Sequence, residues 1–351
     1  MSDITITRLN EEAVTDAHWR AYFAMFEELR RRYGAISLLA DWQHLKRRVM
    51  VRAKEDPLHR CSVFCENGRP TGWIELAVRW GGGPESPSSV SYDVSHAEAP
   101  QWYISAAGAE LARMLTEQGK RRAHCMTQSN RMSDVARAWG GDELNGIDRY
   151  RLYRDRVDET VIDRWLAEGT SRNPDLRLQF FSRVPEEHIN RYCELYVRFI
   201  AEMPTDHDDG LPVTFNRDDL GQRESLNRKQ NAQLYTCALV DNDGVMVGYS
   251  NAYISVDCPR DVFQALTGVI GEYRGRGAAK WLKAALYRKV CEDFPGMETM
   301  YTDMRAVNEP IQVVNRQMGY VLENQGHEFL IERTAVERAV ELSDGSGPEQ
   351  R

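Results

Sequence analysis

Apolar residues recur at helical spacing in two well-separated stretches of the chain. Ala17-His18-Trp19-Arg20-Ala21-Tyr22 leads into Phe23, Phe26 and Leu29, and Glu187-His188-Ile189-Asn190-Arg191-Tyr192 leads into Leu195, Tyr196, Phe199 and Ile200. Recurrence every three to four residues predicts an amphipathic helix in each place. A short alternating run precedes each helix, Ile4-Thr5-Ile6 and Leu176-Arg177-Leu178-Gln179-Phe180, and predicts a strand. Two hairpins follow the same logic. Cys61–Cys65 meets Gly72–Val78 across Glu66-Asn67-Gly68-Arg69-Pro70, and Leu234–Val240 meets Val245–Asn251 across Asp241-Asn242-Asp243-Gly244. Asn and Gly tolerate the positive φ that hairpin turns require.

The two halves also end alike. Asn130 is followed eleven residues later by Gly141, and Asn308 eleven residues later by Gly319. Each pair is preceded by a strand-like run (His124–Thr127, Thr299–Thr302) and followed by another (Tyr150–Tyr153, Glu328–Ile331). Matches at both ends predict a duplicated domain, read twice as strand, helix, hairpin, long strand, helix, strand, helix, strand. The expected boundaries are 1–156 and 174–335. Residues 157–173 form a bridging helix between them, and 336–351 a flexible tail whose end, from Ser343, has no apolar content to pack.

Composition narrows the function classes. At 351 residues, 42% hydrophobic and 28% charged, the chain suits two ordinary soluble domains. No apolar stretch approaches the roughly 18 residues of a membrane span, and the N-terminus has no signal-peptide pattern. A cytoplasmic protein without a membrane partner is expected. Seven scattered cysteines have neither zinc-site spacing nor a disulfide framework, so no metal is expected. The net charge of −8 disfavours nucleic acid.

The chemistry concentrates between Phe263 and Lys283. An apolar strand ends near Ile270, a turn carries Gly275 and Gly277, and a strong helix former runs from Ala278 to Val290. Glycines let backbone amides approach a ligand closely, and the amides opening a helix point at it. The helix dipole adds about 0.3–2 kcal/mol of attraction for negative charge. With Arg274, Arg276 and Lys280 at the rim, the turn reads as a phosphate or pyrophosphate cradle. A Walker loop would need Gly-Lys-Ser/Thr, and a Rossmann fingerprint would need a third glycine where Lys280 stands.

This segment resembles the GCN5-related N-acetyltransferases (GNATs), whose signature Gln/Arg-x-x-Gly-x-Gly/Ala is matched by Arg274, Gly277 and Ala279, with Val269 five residues before the arginine. Asn308 through Gly319-Tyr320 resembles the family's later asparagine, helix and Gly-aromatic ending. The likeness is specific over about residues 239–322 and extends over 174–335. It implies an α/β (α+β) fold of two tandem GNAT-like domains, each a mixed, mostly antiparallel sheet flanked by helices. The first half resembles a degenerate copy, because Val94–Pro100 carries no glycine cradle.

What the resemblance implies is an acyltransferase taking acetyl-CoA or another acyl-CoA as donor and a small-molecule amine as acceptor, by direct attack. Expected donor contacts are Thr267, Val269, Arg274, Gly275, Arg276, Gly277, Ala278, Ala279, Lys280, Asn308 and Asn315, with the backbone N–H of Val269 polarising the thioester. Two family residues are missing: Phe263 stands at the family's glutamate and Asn315 at its tyrosine. A lysine-like amine costs roughly 4–5 kcal/mol to present neutral at pH 7, so losing the base matters more than losing the acid. Asp303 is the first candidate for a replacement base, with Tyr253 orienting the acceptor or relaying a proton and His207 as a base on a loop. His188 and His327 read as packing or surface residues, and Cys258 or Cys291 as nucleophile ranks low without a nearby histidine. Two alternatives stay open: an acyl carrier protein as donor, and a non-catalytic acyl-CoA-binding module. The expected oligomeric state is a monomer or homodimer.

Overall fold

The computed structural model describes residues 3–9, 13–33, 39–77, 86–204 and 213–343. In chain order the elements are β1 (Ile4–Arg8), α1 (Asp16–Tyr33), α2 (Trp42–Glu55), β2 (Arg60–Glu66), β3 (Arg69–Ala77), β4 (Ser88–Val94), α3 (Gln101–Glu117), β5 (Arg122–Thr127), α4 (Asn130–Ala138) and β6 (Asp142–Tyr153). They continue with α5 (Glu159–Arg172), β7 (Arg177–Phe181), α6 (Ile189–Ala201), α7 (Arg217–Lys229), β8 (Ala232–Val240), β9 (Met246–Ser255), β10 (Asp261–Val269), α8 (Ala278–Asp293), β11 (Thr299–Arg305), α9 (Glu309–Met318), β12 (Val321–Asn324), β13 (His327–Glu332) and α10 (Arg333–Ser343). The doubled strand-and-helix order is present, with one more helix per copy (α2, α7) than the sequence reading gave.

Compactness divides the chain otherwise than the sequence boundaries. Of the described residues, those up to 147 and from 325 to 343 form one unit, and those of 148–204 and 213–324 the other. In the first unit β13 lies antiparallel on β5, from His327↔Thr127 to Glu332↔Arg122, and on the opening residues of β6. Strand β13 therefore completes the N-terminal unit. Its continuous apolar run Phe329-Leu330-Ile331 suits either sheet, which is why sequence alone assigned it to the nearer one. Residues 336–343, expected in the tail, belong to α10, which packs on α3 and buries Val336. The helix expected to bridge, α5, packs within the second unit on α8.

In the first unit the sheet order is β1-β2-β3-β4-β5-β13-β6, antiparallel except at β4–β5. In the second, the later residues of β6 are followed by β11-β10-β9-β8-β7, with β12 antiparallel on β6. The hairpin turns take the conformations their residues suit: Asn67 and Gly68 have φ 51° and 76°, and Gly244 has φ 81°.

The second unit has one core, in which Trp165 and Ile162 of α5 meet Trp281, Leu282 and Ala285 of α8 over Leu239 and Ala252 of the sheet. Gly169 makes that approach possible, because a Cβ there would lie 2.2 Å from Trp281 Cγ. We expect Gly169→Leu to cost about 3 kcal/mol by overpacking, read as a lower denaturation midpoint.

One irregularity positions everything that follows. Strands β10 and β11 are parallel, but their pairing covers only Asp261–Phe263 against Thr299–Tyr301. Beyond it β10 runs on to Val269 paired only with β9, and a register shift lies between Gln264 and Thr267. The Leu266 N–H released by that irregularity donates to Asn251 Oδ1 at 3.0 Å, so its satisfaction comes from a side chain.

Candidate functional site

The open stretch of β10 and the start of α8 bound a cleft of ≈ 580 Å³ in the second unit. Gly275 and Gly277 sit at φ 76° and 82°, the left-handed region that glycine occupies without a Cβ penalty. Gly277 stands at the N-cap position of α8 in that conformation, and no side-chain hydrogen bond caps the helix start. The first amides of α8 are thus turned toward the cleft end with no capping oxygen of their own.

The expected residues divide into those that line this cleft and those that do not. Thr267, Val269, Arg274, Gly275, Gly277, Ala278, Ala279, Lys280 and Asn308 all line it. Arg274 donates from Nε to the Val269 carbonyl at 2.9 Å, and its Nη2 pairs with Glu202. Lys280 Nζ lies over the Trp165 ring, 5.3 Å from its centroid, a cation–π contact. Arg276 is not a lining residue; its guanidinium stacks 5.3 Å from the Tyr273 ring. Asn315 is not one either. It is 1% exposed, its Nδ2 reaches only Met304 Sδ at 3.7 Å, and its Oδ1 has no partner among the described residues.

The expected bases lie differently from what the chemistry asked of them. Asp303 is on β11, and Arg149 on β6 donates to both its oxygens, at 2.7 and 2.8 Å. The bidentate guanidinium engages one lone pair on each oxygen, so Asp303 is half of an ion pair, and it does not line the cleft. Tyr253 on β9 stacks on Phe263, 6.3 Å between centroids, and neither lines the cleft. His207 lies outside the described residues. His188 is buried and bonded to Gln179 at 3.1 Å, and His327 is held by Glu143 and Asn130. Burial raises the Cys291 thiol, against a nucleophilic thiolate there.

Sequence reading missed three groups. Arg172, at the end of α5, lines the cleft beside Gly277, and Glu202, just past α6, brings a carboxylate to the rim. Arg198 and then Arg274 hold that carboxyl below its usual range. Neither residue is near the glycine turn in sequence, so no local signal marks it. Glu202→Gln should tighten binding of a pyrophosphate by about two- to fivefold at low salt, because a rim carboxylate and its claim on Arg274 are both removed. Titration calorimetry with coenzyme A reads it directly. The third group, Lys283, is buried one turn into α8, and burial pulls its ammonium down from 10.5 to about 7.

The first unit handles the equivalent place differently. Its β4–β5 pairing also covers three residues, Ser88–Val90 against Ala123–Cys125. There, Arg131 of α4 donates to the carbonyls of Val94 and His96 and to Asp93 Oδ1 at 2.5 Å. Burial, partly offset by Arg131, raises Asp93 to about 6. Helix α3 opens after Pro100 with no left-handed glycine. A side chain of the protein itself therefore occupies the carbonyls at the end of β4.

No family model and no curated protein matches the chain in sequence. Solved structures do match in fold. A tandem GNAT protein from the clavulanic acid biosynthesis pathway, solved without acetyl-CoA, superposes with a TM-score of 0.70 at 16% identity, covering 95% of this chain and 99% of that one. A GCN5-related N-acetyltransferase from Sphaerobacter thermophilus gives 0.59 at 12% identity, covering 93% and 96%. A putative acetyltransferase from Pyrococcus horikoshii gives 0.54 at 9%, covering 94% and 89%. The chain has the fold of these proteins, a tandem pair of GNAT-like domains in an α/β arrangement.

Proposed function

We propose that the protein is an acyl-CoA-dependent N-acyltransferase whose second unit binds the donor and transfers its acyl group directly to the amine of a small molecule. The observation that carries this is the coincidence of two features in one cleft: the uncapped, glycine-turned start of α8 and the unpaired stretch of β10. The first suits a pyrophosphate, since oriented amides and a helix dipole cost no reorganisation when the anion arrives. The second offers strand backbone to an extended pantetheine arm. Arg172, Arg274 and Lys280 would supply the cations around the diphosphate.

In this reading the amine attacks the thioester carbonyl with no acyl-enzyme, and backbone and hydroxyl donors along β10 stabilise the oxyanion. Among the described residues no unpaired carboxylate lines the β11 side, where Arg149 engages Asp303. The chemistry then suits a weakly basic amine that is already neutral near pH 7. The test is thiol release from acetyl-CoA across a panel of amines spanning pKa about 5 to 10. Turnover confined to the weakly basic members is expected, and no release with any amine, alongside no coenzyme binding, would remove the proposal.

The second reading is a non-catalytic acyl-CoA-binding module, favoured by the Asp303–Arg149 pair and by Phe263 at the place of the expected glutamate. It requires coenzyme binding without turnover. A pantetheinylated carrier protein as donor would instead show turnover with the carrier and little with free acetyl-CoA.

A further inference from the structure

A chain of buried polar side chains runs from the interior of the second unit to the wall of the cleft. Gln264 Oε1 accepts from two donors, Lys283 Nζ and the Tyr320 hydroxyl, the latter at 2.8 Å. Gln264, Lys283 and Tyr320 are all at most 3% exposed. With its oxygen turned to those donors, Gln264 donates from Nε2 to Ser250 Oγ at 3.3 Å. Ser250 is fully buried, and its one other partner is Thr267 Oγ1 at 2.8 Å.

This fixes the direction of the last link. Ser250 already accepts from Gln264, and its own proton has a single acceptor within reach among the described residues, Thr267 Oγ1. A buried hydroxyl left without an acceptor costs about 1–3 kcal/mol, so Ser250 donates and Thr267 accepts. The Thr267 proton is then left to point away from Ser250, and Thr267 lines the cleft. Along β10, Thr267 is two residues farther than Val269 from the turn at Gly275–Gly277, toward the end where the acyl group of an extended donor would come to rest.

We propose that the Thr267 hydroxyl is a hydrogen-bond donor to the acyl carbonyl of the bound thioester, and that Gln264 is a positioning residue that sets its direction through Ser250. The role rests on the acyl-CoA reading above. A donor held in place before the substrate arrives strengthens as charge grows on the carbonyl oxygen, and the dry wall behind it raises its worth. The chain is not a proton wire, because the Gln264 amide transmits orientation and not a proton. Lys283 and Tyr320 matter here as the donors to which the Gln264 oxygen is turned.

The experiment compares two probes, acetyl-CoA and S-ethyl-coenzyme A, which has a methylene where the acetyl carbonyl stands. Titration calorimetry gives affinities, and infrared difference spectroscopy with carbonyl-labelled acetyl-CoA gives the stretching frequency of the bound thioester. For Thr267→Val, acetyl-CoA should weaken by about 3- to 10-fold and S-ethyl-coenzyme A should stay within about twofold. The bound carbonyl band should move back toward its frequency in free acetyl-CoA. Thr267→Ser should keep the unsubstituted protein's band. Gln264→Leu should give part of the band shift with the hydroxyl still present. An unchanged band in Thr267→Val overturns the hydroxyl's role, and a fall in melting temperature with an unchanged band in Gln264→Leu overturns the positioning role. Both failures would leave the acyltransferase reading standing. If the unsubstituted protein bound neither probe, that reading would fall first and take this inference with it.

Discussion

Replacing Gly277 with valine is expected to weaken coenzyme A binding by about 100-fold or more while the protein stays folded. A β-branched residue is strained at the φ of 82° that Gly277 holds, at a cost of about 1–2 kcal/mol to the fold. The turn should relax away from that conformation. The amides opening α8 would then no longer converge. Hydrogen bonds to a charged group are worth about 1.5–3 kcal/mol each, so losing two of them sets the scale of the effect. Nothing packs within 3.4 Å of a Cβ at this position, so the loss is conformational and not a clash with the core. Calorimetric titration measures the affinity and circular dichroism the melting temperature. Unchanged affinity in a folded variant would mean that the diphosphate is held elsewhere.

The second large effect concerns stability. Lys283 is fully buried, and burial lowers its ammonium from 10.5 to about 7. Between those two values the unfolded chain holds a proton that the folded chain has released, so stability rises with pH across that window. Below about 7 the folded protein carries a buried charge whose nearest polar neighbours, Gln264 and Tyr320, are neutral. Lys283→Met should therefore stabilise the protein by about 2–4 kcal/mol at pH 6, with the advantage shrinking toward pH 10. It should also flatten the stability profile across that range. Guanidinium denaturation at a series of pH values checks both. A destabilised variant with an unaltered profile would show that the amine is charged and well solvated in the fold.

The strand, glycine turn and helix start of the proposed donor cradle were legible in the sequence because every part of them is local. Val269, Arg274, Gly275, Gly277 and Lys280 fall within twelve residues, and strand, glycine turn and helix start each have their own signal. The duplicated element order was legible for the same reason, since helical and hairpin periodicities repeat in both halves. Partners distant in sequence were not. Arg149 lies 154 residues from Asp303 and converts a candidate base into half of an ion pair. Glu202 lies 72 residues from the arginine it pairs with. Arg276 and Lys280 are interchangeable on the sequence, and of the two only Lys280 lines the cleft. Lys283 was invisible because α8 is buried around much of its circumference, and a lysine in a helix ordinarily reads as solvent-facing.

Strand β13 has a consequence for how the molecule comes into being. It supplies the N-terminal unit with the ladder between β5 and β6, although it is made only after the residues of the second unit. During synthesis the first unit must wait, with that edge of β5 unpaired, until the second unit's residues have left the ribosome. A nascent chain halted after Asn324 would hold every residue of the proposed donor cleft and still leave its older half unfinished.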